Sequence, residues 1–128
     1  MSAPRPGMIA VVDDEPSVRK ALVRLFRSAG YEAREFGSGA EFLRTLPYYR
    51  YACVVLDLHM PGMSGLDVQM DTAFMAGASP VIIITAHDEP GARHKCLAAG
   101  GCAYFCKPFD DQELLDAVAT AIASWPPY

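Results

Sequence analysis

Four polar residues that could together hold a cation and a phosphoryl group each follow a short apolar run of the chain. Asp14 and Asp57 offer carboxylates, Thr85 a hydroxyl group and Lys107 an ammonium group. The apolar runs comprise residues 8–12, 52–56, 81–84 and 102–106. If these runs are parallel strands, the four groups lie at the carboxyl edge of one sheet, which is where α/β proteins bind ligands.

The acidic residues at this edge are predicted to bind a metal ion. Asp13, Asp14 and Glu15 follow the first run, and Asp57 follows the second. Acidic residues are favoured at a helix N-terminus, which accounts for Glu15 but poorly for Asp13, since Asp13 adjoins a buried strand. Carboxylates a few ångströms apart repel each other unless they are protonated or bridged by a cation. A small, hard ion such as Mg²⁺ suits these oxygen ligands.

Lys107 and Thr85 are the predicted partners of an anion at the same edge. Lys107 follows the apolar residues 104–106, so its ammonium group would lie at the buried edge of the sheet and need an anionic partner. Asp57 or a phosphoryl oxygen would provide that charge. A cis peptide bond before Pro108 would help to aim the lysine. Thr85 by itself is an unremarkable strand residue, and its role depends on the other three.

Helical and strand patterns alternate along the chain and predict an α/β fold. Residues 31–36 alternate polar and apolar, as in an exposed edge strand, and residues 59–65 form a loop. Apolar strands separated by helices indicate a doubly wound parallel sheet of five strands, covered on both faces. Helices are expected from Pro16 to a stop at Gly30, after a cap at Ser38, over 66–76 and 88–99, and after a cap at Asp110. Their buried faces should comprise Val18, Leu22, Leu25, Phe26, Ala29, Ala40, Phe42, Leu43, Leu46, Leu114, Leu115, Val118 and Ile122.

Length and composition favour one folded domain with a real core. The chain has 128 residues, of which 52% are hydrophobic and 20% charged. A net charge of -4 argues against non-specific binding to nucleic acid or to an anionic membrane surface. No apolar run approaches the roughly 20 residues of a membrane span, and residues 1–7 lack a signal-peptide core, so we expect a cytoplasmic protein. We expect the domain to span residues 8–124, with a tail at 1–7 and a tail or the start of a linker at 125–128.

Two groups of residues are predicted to have no catalytic role. The four cysteines have no CxxC spacing, and three lie in strand runs, so we expect buried, reduced thiols and no redox or metal site. The cysteines are Cys53, Cys96, Cys102 and Cys106. The basic residues of the first helix lie largely off its apolar face and should be solvated; they are Arg19, Lys20, Arg24 and Arg27.

Linked motifs in the same order identify a family resemblance. The chain resembles the receiver domains of two-component response regulators over about residues 7–124, and it is most similar to receivers that precede a LuxR-type helix-turn-helix output domain. The motifs are VVDDE at 11–15, LDLHMPGMSG at 56–65, ITA at 84–86 and KPF at 107–109.

The resemblance implies a (βα)5 fold with strand order 2-1-3-4-5 and a phosphoryl-accepting site. Asp57 would take a phosphoryl group from a sensor histidine kinase or a phosphotransfer protein. Mg²⁺, or Mn²⁺ in its place, would be bound by Asp13, Asp14 and Asp57 and by the main-chain carbonyl of His59. The chain would not be a classical enzyme, although it would assist its own phosphorylation and dephosphorylation.

The resemblance also implies a route from the site to a partner. Lys107 and Thr85 would bind phosphoryl oxygens, and small Ala86 would leave room for the group. Thr85 would then move towards the phosphoryl group and Tyr104 would turn into the space behind it. The changed surface is the family's α4-β5-α5 face, formed here by residues 88–99, residues 102–106 and the helix after Asp110. That face would control a partner or output domain, with homodimerisation on phosphorylation as one route.

Two histidines and three rival functions remain as alternatives. His59 and His87 stand two residues after Asp57 and Thr85; they are either exposed loop residues or groups that tune hydrolysis of the acyl phosphate near neutral pH. A haloacid-dehalogenase-type phosphatase would need a second Asp where His59 stands. A flavin mononucleotide module would need a phosphate-binding loop after the first strand. A docking module that keeps only the fold stays open.

Overall fold

The computed structural model describes residues 7–77 and 79–124, and within them the chain forms five strands and six helices. The strands are β1 (Met8–Val12), β2 (Glu32–Phe36), β3 (Cys53–Asp57), β4 (Val81–Thr85) and β5 (Ala103–Cys106). The helices are α1 (Pro16–Ser28), α2 (Gly39–Leu43), α3 (Gly65–Met70), α4 (Thr72–Gly77), α5 (Ala92–Ala98) and α6 (Asp111–Ser124).

The five strands form one parallel sheet in the order β2-β1-β3-β4-β5, which confirms the predicted topology. Alternate strand residues point to opposite faces, so the sheet separates two apolar cores. Val11 and Val55 belong to the core shared with α1 and α6. Val12 and Leu56 belong to the core shared with α2, α3, α4 and α5. Each fully buried aliphatic side chain stabilises the fold by about 2 kcal/mol, so these layers hold the carboxyl ends of the strands in place.

The predicted third helix, residues 66–76, is wrong as a single element. Asp71 has extended main-chain geometry, with ψ of 135°, and separates α3 from α4. Its Oδ1 accepts a hydrogen bond from the main-chain N–H of Ala73 at 2.9 Å. Asp competes with the helix for main-chain donors in this way, and apolar periodicity does not reveal it. As a result, the predicted α4-β5-α5 face consists of α5, β5 and α6.

One further helix begins later than predicted, whereas two predicted helix caps are confirmed. The helix predicted over residues 88–99 begins only at Ala92, because Gly91 has the left-handed φ of 81° and ends the turn that begins at Pro90. The caps at Ser38 and Asp110 are confirmed, since their side chains accept hydrogen bonds from Glu41 N and Glu113 N.

Some side chains predicted to be buried are exposed. Ala29 and Ala40 face solvent, whereas Val23 and Ala121, which were not predicted, are buried. All four cysteines are free thiols, but only Cys53 and Cys96 are buried. Cys102 and Cys106 are exposed because they lie at the two ends of edge strand β5, so their predicted burial is wrong.

Within the described residues, no helix has the length and apolar character needed to cross a membrane. Most of the predicted N-terminal tail (1–6) and all of the predicted C-terminal tail or linker (125–128) lie outside those residues.

Candidate functional site

The sheet register brings the predicted site residues to one edge. Val12 pairs with Leu56, so Asp13 and Asp57, which follow them, leave the sheet at the same level. On the far side, the main-chain N–H of Lys107 donates to the carbonyl of Thr85 at 2.7 Å. The bond between Lys107 and Pro108 is cis.

A glycine permits the tight packing behind Asp57. An ideal Cβ at Gly65 would lie 2.6 Å from the carbonyl oxygen of Asp57 and 3.0 Å from the Cα of Leu58. Real Cβ atoms do not approach main-chain atoms so closely, and therefore only glycine fits at the start of α3 without displacing the end of β3. The motif around residues 56–65 thus contributes to the shape of the site as well as to its chemistry.

Three carboxylates lie close together at this edge and face one lysine. Oxygen atoms of Asp13, Asp14 and Asp57 lie within 4.8 Å of one another. Lys107 Nζ donates to Asp13 Oδ2 at 3.0 Å and lies 3.7 Å from Asp57 Oδ1. Asp13 is fully buried and Asp57 is 3% exposed. When all four groups are ionised, the negative charges outnumber the positive one by three to one.

Burial and the crowding of negative charge raise the pKa of Asp57. Burial raises the pKa of its carboxyl group, and the carboxylate of Asp13 and a hydrogen bond with Asp14 raise it further. Lys107 and a main-chain hydrogen bond from His59 act in the opposite direction, and the resulting pKa is about 7. Additional positive charge at the site would therefore be needed to keep this carboxyl ionised at neutral pH.

The donor set fits a hard divalent cation. All three clustered ligand groups are carboxylates, two of them buried, and such all-oxygen sets suit Mg²⁺ better than softer metals. A bound cation would also relieve the repulsion that raises the pKa of Asp57.

The hydroxyl group of Thr85 does not contact the acidic cluster in this structure. Thr85 Oγ1 donates to the carbonyl of His87 and accepts from its N–H, both at 3.1 Å, and the residue is fully buried. The predicted convergence is therefore seen for the carboxylates and the ammonium group, whereas the hydroxyl closes a turn in its own loop.

Tyr104 is turned inward and is held by two neighbours. Its side chain is 6% exposed, and its hydroxyl donates to Asp88 Oδ1 at 2.9 Å. Arg93 Nη1 donates to the Tyr104 carbonyl at 3.4 Å, and its guanidinium lies 6.0 Å from the ring centroid. Burial, and then the bond to Asp88, raise the pKa of the phenol. The ring of Tyr104 is therefore buried, and its hydroxyl is tied to the loop after β4.

The two predicted histidines, His59 and His87, lie beside each other on the loops after β3 and β4. Their ring centroids are 6.0 Å apart, and both residues are exposed. His59 Nε2 lies 3.2 Å from the carbonyl oxygen of His87 and 3.3 Å from Glu89 Oε1. These contacts link the loop after β3 to the loop after β4. The side chains of Thr85 and Tyr104 both form hydrogen bonds with residues of the second loop.

An apolar groove of about 500 Å³ lies next to Lys107. It is formed between α1 and the loop after β5, and its lining includes Val18, Ala21, Leu25 and Phe109. The groove gives an incoming molecule a surface to bind within reach of the acidic edge.

Three residues around the site were not predicted: Arg19, Asp88 and Glu89. Arg19 was assigned to the solvated face of α1, yet it binds the carbonyl oxygen of Asp13. Asp88 and Glu89 lie on the loop after β4, and no spacing rule predicts a loop partner. The one available signal was the position of Arg19 one turn after Glu15, which places it near the start of α1.

This fold and its acidic edge are those of a class of regulatory signalling domain, and comparisons with known proteins identify that class. Residues 9–119 match the sequence model of the response regulator receiver domain. The chain belongs to this family.

Relatives of the chain are regulators of two-component systems. Nodulation protein W of Bradyrhizobium diazoefficiens is 41% identical over 90% of the chain and 51% of its own length. The response regulator protein TmoT of Ectopseudomonas mendocina is 38% identical over 91% of the chain and 53% of its own length. The chain thus spans about half the length of the curated relatives it matches.

Solved structures share the fold. The crystal structure of FixJ-N covers all of the chain with a TM-score of 0.87 and 28% identity. A response regulator receiver protein from Burkholderia phymatum is 45% identical, with a TM-score of 0.81 over 94% of this chain and 98% of its own.

Proposed function

We propose that this domain is a phosphoryl-accepting switch in which Asp57 takes a phosphoryl group from a sensor histidine kinase or a phosphotransfer protein. The observation that carries the proposal is the position of Asp57, a buried carboxyl group within reach of the carboxylates of Asp13 and Asp14 and the ammonium group of Lys107. Residues 8–124 form the receiver domain in this proposal, and the protein acts in the cytoplasm.

The chemistry of the transfer follows from these neighbours. An oxygen of Asp57 attacks phosphorus, the bond from phosphorus to the donor's imidazole nitrogen breaks, and an acyl phosphate forms. Mg²⁺, or Mn²⁺, supplies positive charge for the phosphoryl oxygens when bound by Asp13, Asp14, Asp57 and the main-chain carbonyl of His59. Lys107 then moves its contact from Asp57 to a phosphoryl oxygen, which stabilises the transferred charge.

The donor would bind the groove between α1 and Phe109. This groove is apolar and lies beside Lys107, so a helix or loop of a donor protein could bury apolar side chains there while its phosphorylated residue reaches Asp57. The reaction is assisted by the receiver itself, which is a regulatory domain rather than a classical enzyme.

The output of the switch would pass through Thr85 and Tyr104. Thr85 would give up its turn contacts with His87 to bind a phosphoryl oxygen, and this would reshape the loop that carries Asp88. Because Asp88 holds the hydroxyl of Tyr104, the change would reach the α5-β5-α6 face. Through that face the domain would control an output domain or a partner, or form a homodimer on phosphorylation. The curated relatives are about twice as long as the part of them that this chain matches, which leaves room in those relatives for an output domain.

His59 and His87 would affect the lifetime of the acyl phosphate. Their rings lie 6.0 Å apart, two residues after Asp57 and Thr85, and we expect them to border the path of an attacking water molecule. We expect His59→Ala and His87→Ala to change the rate of autodephosphorylation between pH 6 and 8. Unchanged rates in both variants across that range would remove this role.

Acetyl phosphate and Mg²⁺ provide the test of the proposed function. Incubation should add one phosphoryl group to the intact mass, and Asp57→Asn should abolish the gain. Asp116→Asn, which alters an exposed aspartate on α6, should be phosphorylated like the wild type. Absence of any gain, with acetyl phosphate or with phosphoramidate, would favour the docking module instead.

A further inference from the structure

Arg19 is half-buried beside the acidic cluster, where the sequence predicted a solvated charge. Its side chain is 16% exposed, against 62% for its neighbour Lys20 on the same helix. A guanidinium that is largely removed from water needs charged or hydrogen-bonding partners, because an unpaired charge is costly to desolvate. The partners of Arg19 therefore indicate why it lies against the site.

Two hydrogen bonds hold the guanidinium group in place. Arg19 Nε donates to Glu35 Oε1, and Nη1 donates to the carbonyl oxygen of Asp13, both at 2.9 Å. The hydrogen bond from Arg19 is also the main reason why the pKa of the Glu35 carboxyl is lowered. Arg19 thus connects the edge strand β2 to the main chain of the site.

The hydrogen bond from Arg19 to the carbonyl oxygen of Asp13 adds to the contacts that hold Asp13 in position. The carboxyl group of Asp13 accepts hydrogen bonds from Glu15 N at 2.9 Å and from Lys107 Nζ at 3.0 Å. The carbonyl belongs to the peptide unit that leads to Asp14, so its orientation also sets where the Asp14 side chain starts. A guanidinium on that carbonyl therefore acts on two of the three clustered acids.

We infer that Arg19 is a positioning residue for Mg²⁺ binding: it holds the peptide unit between Asp13 and Asp14 in place, and Glu35 holds the guanidinium in turn. This inference rests on the proposed function, because it takes the acidic cluster as the Mg²⁺ site. Outer-shell partners of metal ligands typically change metal affinity or activity by about 10- to 100-fold when they are removed. Because Arg19 acts through the main chain, we expect its removal to change Mg²⁺ affinity by an amount at the lower end of that range.

Titration of Mg²⁺ alone into the unphosphorylated protein tests the inference. Calorimetry should give a dissociation constant about tenfold higher for Arg19→Gln than for the wild type. Lys20→Gln is the matched control, because Lys20 also lies near Glu35, at 3.4 Å, but does not contact Asp13. It should bind Mg²⁺ within about twofold of the wild type, since an exposed ion pair of this kind is weak.

Further variants separate positioning from charge and from folding. Arg19→Lys keeps the charge but loses the planar fork that makes both bonds, so it should weaken Mg²⁺ binding nearly as much as Arg19→Gln. Glu35→Gln should weaken it less, and the double variant Arg19→Gln/Glu35→Gln should be no weaker than Arg19→Gln alone. At saturating Mg²⁺, Arg19→Gln should regain the wild-type rate of phosphorylation by acetyl phosphate, which a merely misfolded variant would not.

The outcomes distinguish this inference from the proposed function. A wild type that binds Mg²⁺ and an Arg19→Gln variant that binds it equally well would overturn the role of Arg19 alone. An Arg19→Lys variant with wild-type affinity would also overturn it, because charge and not geometry would then matter. A wild type that binds no Mg²⁺ would overturn both. Loss of affinity in Arg19→Gln with amide shifts at Asp13 and Asp14, seen by NMR, would support the inference.

Discussion

The carboxyl group of Asp57 makes the stability of the metal-free protein depend on pH. The folded protein holds this proton up to about pH 7, whereas the unfolded chain releases it near the ordinary value of 3.8. Because the folded state binds the proton more tightly, the free energy of unfolding falls as the pH rises between these two values. The substitution Asp57→Asn removes the titrating group and therefore this decrease in the free energy of unfolding with pH. We expect the stability of the variant relative to the wild type to increase by up to about 4 kcal/mol between pH 4 and pH 8.

Chemical denaturation in the presence of a chelator at both pH values measures this effect. Asp116→Asn, on the exposed face of α6, is the control and should show no comparable difference between pH 4 and pH 8. An Asp57→Asn variant whose stability relative to the wild type is the same at pH 4 and pH 8 would contradict the proposed crowding of charge.

Tyr104 and Asp88 should be energetically coupled. The phenol donates to a carboxylate on a loop, and a hydrogen bond to a charged group contributes about 2 kcal/mol. In a double-mutant cycle with Tyr104→Phe and Asp88→Ala, we expect a coupling energy of about that size, measured by denaturation. Tyr48→Phe is the matched control, since Tyr48 is 81% exposed. Additive effects of the two substitutions would show that the contact contributes nothing.

Residues at strand ends could be predicted from sequence, but their loop partners could not. Asp13, Asp14, Asp57 and Lys107 each follow an apolar strand, and parallel strands bring such positions to one edge whatever the details of packing. The contacts of Arg19, Thr85 and Tyr104 depend instead on side-chain rotamers and on the path of the loop after β4. Apart from the position of Arg19 one turn after Glu15, no local pattern indicates those contacts.

At the level of secondary structure, the start of α3 depends on a glycine. We expect Gly65→Ala to destabilise the protein by about 2 kcal/mol, because its methyl group would push against the main chain of Asp57 and Leu58. It should also weaken Mg²⁺ binding, since Asp57 would be displaced. Gly77→Ala in α4 is the matched substitution, with no atom within 4 Å of its added Cβ, and should leave stability unchanged or slightly raised.

Thermal unfolding and Mg²⁺ titration of both glycine variants provide the measurement. Equal stability of Gly65→Ala and Gly77→Ala would mean that the end of β3 can shift without cost, and the close approach would then have no consequence for the site.

Strand order and helix number were predictable to different degrees. The apolar runs alone indicate a parallel sheet, and the linked motifs fix its order, so the topology was predicted correctly. The helix over residues 66–76 was predicted as continuous because its apolar spacing continues past Asp71. The break depends on one side chain that competes with the helix for an N–H group, and a hydrophobic pattern contains no information about that competition.

For the whole molecule, binding of Mg²⁺ should raise thermal stability. A ligand that binds only the folded state at ten times its dissociation constant adds about 1.4 kcal/mol to the free energy of unfolding. We expect Mg²⁺ to raise the melting temperature of the wild type and to have a much smaller effect on Asp14→Asn. NaCl at matched ionic strength controls for screening of charge. An equal rise in both proteins would indicate binding elsewhere on this acidic chain.

Lys107 and Asp13 are 94 positions apart in the sequence, yet their side chains are in contact. A ribosome synthesises the three clustered acids long before it adds the lysine that faces them. A growing chain would therefore display an acidic cluster without its cationic partner until β5 had emerged and paired with β4. If the domain has the proposed function, it should react with a phosphodonor only after β5 has been synthesised and has paired with β4. A chain that ends before Lys107 should therefore not be phosphorylated.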